Sequence, residues 1–209
     1  MQGALFDVSA TGTLTVVGTD GKRLAVSTTA CEVLGTPSQV IVPGTVLPLI
    51  SNMTGEFITI EFTEKNMRCL NETTAFSTKL IEGNFPNYQQ VIPKSFTHSI
   101  ELDVPEFISK LSLSESILNG NSFVTITLTR DRLSLHAIST DIGETNDEMI
   151  ISLDIDEPIV ICVTPEFFSQ ALRVVNDENV TLKLSNGVMP MMFEHNDSTI
   201  GVVMPLRNG

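Results

Sequence analysis

The sequence predicts an α+β protein made of repeated domains, each with two helices packed on antiparallel sheets. Three observations carry this. Most apolar residues fall in short runs bounded by Gly, Pro, Asn or Asp, the pattern of half-buried strands. Few stretches show helical spacing. The order of strands and helices recurs at an offset of about 120 residues.

Residues 3–8 and 13–18 read as strands around a turn at Ala10-Thr11-Gly12, and residues 22–28 make a third. Gly18-Thr19-Asp20-Gly21 joins the second to the third, because Asp and Gly tolerate the positive φ of a tight hairpin. Lys22 and Arg23 then leave the turn as an exposed basic pair on an acidic chain. Residues 39–42 form a short strand ending at Pro43. Val46, Leu47, Leu49 and Ile50 space as one face of a short helix, stopped between Asn52 and Gly55. Runs at 57–62, 67–70 and 74–79 are further strands. Residues 83–93 carry two prolines and little periodicity and read as a linker. The expected domains are therefore 1–92, linker included, and 94–209.

Beyond the linker, 98–103 is a strand and 104–118 an amphipathic helix with Pro105 in its first turn. Asn119-Gly120-Asn121 breaks it. Strands at 122–129 and 132–138 flank Arg130-Asp131, with others around 148–153 and at 159–163. Pro165 opens a helix through Phe167, Phe168, Ala171, Leu172 and Val175. Strands at 179–184, 188–194 and 199–204 finish the chain. The repeat pairs Leu14 to Asp20 with Leu133 to Asp141. It pairs Val40 to Pro43 with Ile161 to Pro165, and Phe57 to Phe62 with Asn179 to Leu184. The first copy lacks the strand and helix, residues 98–118, that open the second.

Composition excludes several functions. A formal net charge of −13 argues against a freely diffusing DNA binder, which neutralises phosphates with Lys and Arg. Cys31, Cys69 and Cys162 share no ligand spacing and fit a reducing cytoplasm. His98, His136 and His195 are scattered, so no metal or other cofactor is expected. No run approaches the roughly eighteen apolar residues of a membrane span, and the N-terminus is not a signal peptide. Two acidic clusters stand out: Asp141, Glu144, Asp147 and Glu148, then Asp154, Asp156 and Glu157. Paired carboxylates hold magnesium in phosphoryl chemistry. These fall in segments read as loops between strands, without a basic or histidine partner, so a metal-dependent nucleic-acid enzyme is the weaker reading. No Gly-rich phosphate loop or Gly-x-Ser-x-Gly is present.

Three motifs point elsewhere. Thr19-Asp20-Gly21-Lys22-Arg23-Leu24-Ala25 resembles the Thr-Asp-Gly-His-Arg-Leu-Ala loop of the bacterial replicative sliding clamp family, the beta subunit of DNA polymerase III. Leu80-Ile81-Glu82-Gly83-Asn84-Phe85-Pro86-Asn87-Tyr88 resembles that family's junction ending in Phe-Pro-Asp-Tyr. Val202-Val203-Met204-Pro205-Leu206-Arg207 resembles its Val-Val-Met-Pro-Met-Arg tail. All three stand in the family's order and with its spacing.

The resemblance implies the sliding-clamp fold, with three domains per chain and two chains closing a six-domain ring. This chain would supply the middle domain, without its first strand and helix, and the whole C-terminal domain. Met1 would stand where the family has an apolar pocket residue. The implied function is that of a non-catalytic, cytoplasmic processivity factor. It would encircle duplex DNA without sequence specificity and tether the polymerase catalytic subunit, the clamp loader and repair factors. Their Gln-Leu-x-Leu-Phe-type peptides would enter an apolar groove. Carried over residue by residue, its walls are Thr19, Gly21, Lys22, Arg23, Leu24, Pro86, Val91, Phe167, Val188, Pro190, Val202, Met204, Pro205, Leu206 and Arg207. Encirclement would make the negative charge tolerable. Lys22 replaces a common His, Gln90 an Arg and Leu206 a Met, and Asn208-Gly209 extend past the usual end. Lys110 and Arg173, with Lys94, are the implied DNA-facing cations, and Ile117 and Leu118 the implied ring interface. The alternative is a short, non-ring form that binds or competes for clamp-partner peptides. Exposed edge strands and the Ile117-Leu118 pair are expected to make the chain self-associate.

Overall fold

A computed structural model of the chain describes residues 2–118, 123–175, 178–196 and 198–206. Met1, the break expected at Asn119-Gly120-Asn121 and the Asn208-Gly209 extension lie outside the described residues. The chain divides into two units. One holds residues up to Asp20 together with Val26–Asn87; the other holds Gly21–Ala25 and the chain from Tyr88 onward. Nothing in the spacing of the sequence pointed to Gly21–Ala25 as part of the second unit. A 3-10 turn at Tyr88–Gln90 lies just past the division.

The first unit contains β1 (Gly3–Val8), β2 (Thr13–Thr19), most of β3 (Arg23–Ala30) and β4 (Ser38–Pro43), in the order β4-β1-β2-β3. Gly12 and Gly21 turn the chain with φ of +81° and +85°, a region open to glycine at little cost. A 3-10 turn at Gly44–Val46 leads into α1 (Leu47–Ser51), with Pro48 pre-set in its first turn. β5 (Thr59–Phe62), β6 (Asn66–Leu70) and β7 (Ala75–Lys79) form an antiparallel three-stranded sheet. Ala4, Phe6, Val42, Met67 and Cys69 are the buried centre of this unit. The strand expected at 57–62 starts at Thr59, leaving Phe57 exposed.

The second unit contains β8 (His98–Asp103), α2 (Val104–Ser116), β9 (Val124–Leu128), β10 (Arg132–Ser139), β11 (Gly143–Ile150) and β12 (Ile159–Val163). α3 (Pro165–Val175), β13 (Asn179–Leu184), β14 (Met191–Asn196) and β15 (Thr199–Val203) follow. Two sheets result, β11-β10-β9-β12 and β15-β14-β13-β8. Each takes three consecutive strands from one half of the unit and the leading strand of the other half. Asp103 caps α2 by accepting a hydrogen bond from the Glu106 N–H at 2.7 Å. Alternation buries Val124, Ile126 and Leu128 of β9 and Leu133, Leu135 and Ala137 of β10. The helices meet through Phe107 and Phe168, with ring centroids 5.3 Å apart, and Phe168 meets Phe193 edge-on at 4.7 Å.

The repeat is visible in strand order. β4-β1-β2-β3 has the arrangement of β12-β9-β10-β11, α1 follows β4 as α3 follows β12, and β5-β6-β7 parallels β13-β14-β15. Among the described residues, the first unit has no counterpart of β8 or α2.

Three expectations are corrected. The strand placed at 148–153 is β11, ending at Ile150. Ile151, Leu153 and Ile155 stay buried beyond it, the first two held by N–H donation to the carbonyls of Asp131 and Arg130. The strand placed at 188–194 begins at Met191. The first acidic cluster is not a loop without partners: Glu144, Asp147 and Glu148 lie on β11. Asp147 accepts from Lys110 at 2.9 Å, Glu148 from Arg132 at 2.7 Å, and Glu144 lies 3.6 Å from His136. In the second cluster Asp156 pairs with Arg130 at 2.6 Å. The cross-strand and strand–helix partners lie too far along the chain for sequence spacing to reveal them.

Candidate functional site

β12 organises the site. It is the last strand of its sheet and, among the described residues, pairs with β9 alone, so its other edge is open to the rest of the unit. Three segments meet that edge at every second residue. At Val160, the backbone of Gly187 packs so closely that a Cβ there would collide with the Val160 carbonyl oxygen. At Cys162, the carbonyl accepts from the Leu206 N–H at 2.8 Å, and at Thr164 the carbonyl accepts from the Phe167 N–H at 3.0 Å as α3 begins. Val160 to Thr164 spans about 13 Å at the usual strand rise.

Local chemistry shapes each segment. The Asn186 side-chain oxygen accepts from the N–H groups of Val188 and Met189, at 3.0 and 2.9 Å. This Asx-type turn leaves Val188 61% and Met189 48% exposed, beside Val160 at 51%. After β15 the chain continues through half-exposed Met204, buried Pro205 and half-buried Leu206. The Met204 N–H donates to the Lys22 carbonyl at 2.9 Å, tying the tail to the Thr-Asp-Gly loop. Lys22 Nζ lies 5.7 Å and the Arg23 guanidinium 4.3 Å from the Phe167 ring centroid, within cation–π range. Arg23 also donates to Gln170 Oε1, and Gln170 Nε2 donates to Glu166 Oε1 at 2.8 Å. Leu24 and Val202 are buried supports.

The structure thus brings together Gly21, Lys22, Arg23, Phe167, Val188, Met204, Pro205 and Leu206, all in the second unit. Pro190 is half-buried between the 186–189 turn and β14, and Val91 is exposed at the end of the 88–90 turn. Thr19, which ends β2, and the exposed Pro86 belong to the first unit. Arg207 lies outside the described residues. Sequence reading missed Val160, Met189, Gln170 and Glu166. Glu166, Phe167 and Gln170 are neighbours on one helical turn, a spacing that was readable; the Val160 contact depends on tertiary structure and was not.

The other predicted residues stand apart from this surface. Lys110 on α2 is paired with Asp147 at 2.9 Å and with Glu106 at 3.6 Å. The hydrogen bond from Lys110 holds the Asp147 carboxyl below its ordinary range. Arg173 is exposed in the last turn of α3, and Lys94 is exposed before β8. Ile117 and Leu118, at the end of α2, are half-buried against the core of their own unit. Among the described residues, no cluster of His, Cys, Asp and Glu has the geometry to hold a metal ion, and no helix is long and apolar enough to cross a membrane.

Comparison with known proteins places the chain in a family. Residues 1–87 match the family model for the DNA polymerase III beta subunit, central domain, and residues 89–207 match that for its C-terminal domain. The chain belongs to the DNA polymerase III beta subunit family. Beta sliding clamps of Helicobacter pylori (strain J99) and Chlamydia trachomatis are each 32% identical to it, over 87% and 99% of this chain. The chain spans half the length of each of these relatives. The crystal structure of the DNA polymerase III subunit beta from Pseudomonas aeruginosa superimposes with a TM-score of 0.91 at 25% identity, covering 99% of this chain and 58% of that one. The fold is therefore the α+β sliding-clamp fold of the beta-subunit family. The β12-edge surface belongs to the part matched by the C-terminal model, apart from the Gly21–Ala25 segment.

Proposed function

We propose that this chain is part of a DNA sliding clamp, a non-catalytic processivity factor of the bacterial cytoplasm. In this reading the β12-edge surface is one wall of a groove for short apolar peptides. The peptides are of Gln-Leu-x-Leu-Phe type, carried by the polymerase catalytic subunit, the clamp loader and repair factors. The observation that carries the reading is the convergence of tail, loop and helix, through the Met204–Lys22 hydrogen bond and the stacking of Arg23 on Phe167. Exposed Val and Met side chains, with half-buried Leu206 beside them, accept apolar partners of differing shape, since methionine adapts at low cost. Lys22 and Arg23 set polar register at one end. Thr19 and Pro86 would contribute from the first unit, and Arg207 from the tail.

Duplex DNA would be held by encirclement in the complete ring, which needs more chain than the half of a relative's length present here. The charge pattern supports this: the chain carries −13 overall, and the ammonium of Lys110 is already paired. Lys110 and Arg173, with Lys94, are the proposed DNA-facing cations, and Ile117 and Leu118 the proposed ring contact.

Fluorescence anisotropy of a labelled Gln-Leu-x-Leu-Phe peptide tests the groove. Binding in the micromolar range is expected, about −8 kcal/mol, with loss in a Met204→Ala plus Leu206→Ala double variant. A folded chain that leaves the peptide unbound overturns the groove assignment.

A further inference from the structure

Sulfur is unevenly placed on this chain. Of the methionines and cysteines among the described residues, Met67, Met149, Met191, Met192, Cys69 and Cys162 are buried, none more than 7% exposed. Met53 and Cys31 are half-buried. Met189, at 48%, and Met204, at 36%, are the exposed pair, and both lie on the β12-edge surface. Backbone contacts hold each of them there. The Met189 N–H donates to the Asn186 side-chain oxygen at 2.9 Å, within the turn that faces Val160. The Met204 N–H donates to the Lys22 carbonyl at 2.9 Å, and buried Pro205 follows, so the chain is fixed on both sides of the Met204 side chain.

An exposed thioether reacts with a hydroperoxide where a buried one is shielded. The Sδ lone pair attacks the terminal peroxide oxygen, and the S–O bond forms as the O–O bond breaks. The proton on the attacked oxygen passes to the departing one. The sulfur gives up two electrons and becomes a sulfoxide, while the peroxide is reduced to water, or to an alcohol if it is organic. A flexible apolar side chain is thereby exchanged for a polar, chiral one. Seating an apolar peptide side chain against it strips water from the sulfoxide oxygen without supplying a donor, which costs free energy.

We propose that Met189 and Met204 form a peroxide-sensitive modification site, at which sulfoxide formation releases the bound peptide and enzymatic reduction of the sulfoxide restores binding. The switch rests on the groove reading, since it acts by changing what the β12-edge surface accepts. It gives Met189, which lies outside the motif-derived groove residues, a role beside Met204. It also leaves the fold intact, because the methionines that pack the cores, Met67, Met149 and Met191 among them, are out of reach.

The test treats the full chain with hydrogen peroxide, maps sulfoxides by peptide mass spectrometry, and measures anisotropy of the Gln-Leu-x-Leu-Phe peptide before and after. Met189 and Met204 are expected to gain oxygen before Met67, Met149, Met191 and Met192. Affinity is expected to fall about tenfold or more, with the urea midpoint unmoved. It should return on treatment with methionine sulfoxide reductases for both epimers. A Met189→Leu plus Met204→Leu variant keeps apolar volume without sulfur; whatever its starting affinity, peroxide should not lower it. Three results overturn the switch: oxidation that reaches the buried methionines equally early, an affinity loss that persists in the double variant, or unchanged affinity once both residues are oxidised. A folded, unoxidised chain that leaves the peptide unbound overturns the groove reading instead, and the switch with it.

Discussion

Arg23 combines two contacts that a lysine does not reproduce. Its planar guanidinium covers the Phe167 ring while donating to Gln170, which in turn holds Glu166. If this arrangement sets peptide register, Arg23→Ala should weaken peptide binding about tenfold, or about 1.4 kcal/mol. The urea midpoint should barely move, since an exposed cation–π contact contributes only about 0.5–1 kcal/mol. Arg23→Lys should recover only part of the affinity; full recovery would mean that charge alone matters. Two glycines nearby separate strain from collision. Gly21 has φ +85° and open space around its Cβ position, so Gly21→Ala should cost about 1–2 kcal/mol through backbone strain. Gly187→Ala instead drives a methyl into the Val160 carbonyl, where only backbone can yield. It should cost about 1–3 kcal/mol and also displace the 186–189 turn, so that peptide binding falls with stability. Urea unfolding and anisotropy on the same two variants check both statements.

At the scale of elements, the pairing of α2 with β11 gives the fold a defined acid response. Asp147 titrates below its ordinary range because it accepts a hydrogen bond from Lys110. A carboxylate lowered in this way stabilises the fold above its unfolded pKa, about 4, and that contribution is lost as pH falls through the folded pKa. The raised pKa of Lys110 acts only at the alkaline end, where its contribution is lost as pH rises. Asp147→Asn should therefore shrink the drop in urea midpoint between pH 7 and pH 3; an unchanged drop would show that the pair is immaterial. β11 also marks where the sequence stops being legible. Glu144-Thr145-Asn146-Asp147-Glu148 has no apolar alternation, because that edge strand is held by its ladder to β10, by ion pairs reaching Lys110 and Arg132, and by the contact of Glu144 with His136. β9 and β10, buried on one face, announced themselves by alternation, and α2 by Pro105 and its apolar stripe. Alternation past the ladder, at Ile151 and Leu153, signalled extension correctly but not the loss of a strand partner. The same limit applies to the site. Its loop, tail and Phe167 were readable as motifs, whereas the β12 edge that aligns Gly187, Leu206 and α3 exists only once the sheet has formed.

For the whole molecule, the unequal cover of the two units sets an order of unfolding. The first unit keeps eleven apolar side chains half-buried around a small buried centre, and the second encloses most of its own. Stability from burial scales with apolar area removed from water, at roughly 25 cal/mol per Å², so the first unit should open at lower denaturant. Cysteine chemistry offers a probe on each side. Cys69 is buried on β6 of the first unit, where burial pushes its thiol up and suppresses the reactive thiolate, and Cys162 is buried on β12 of the second. Under pulsed alkylation across a urea series, Cys69 should become reactive before Cys162, with a gap between the two midpoints. Coincident midpoints would mean that the units unfold as one cooperative body, in which case the thin cover of the first unit is not a local weakness.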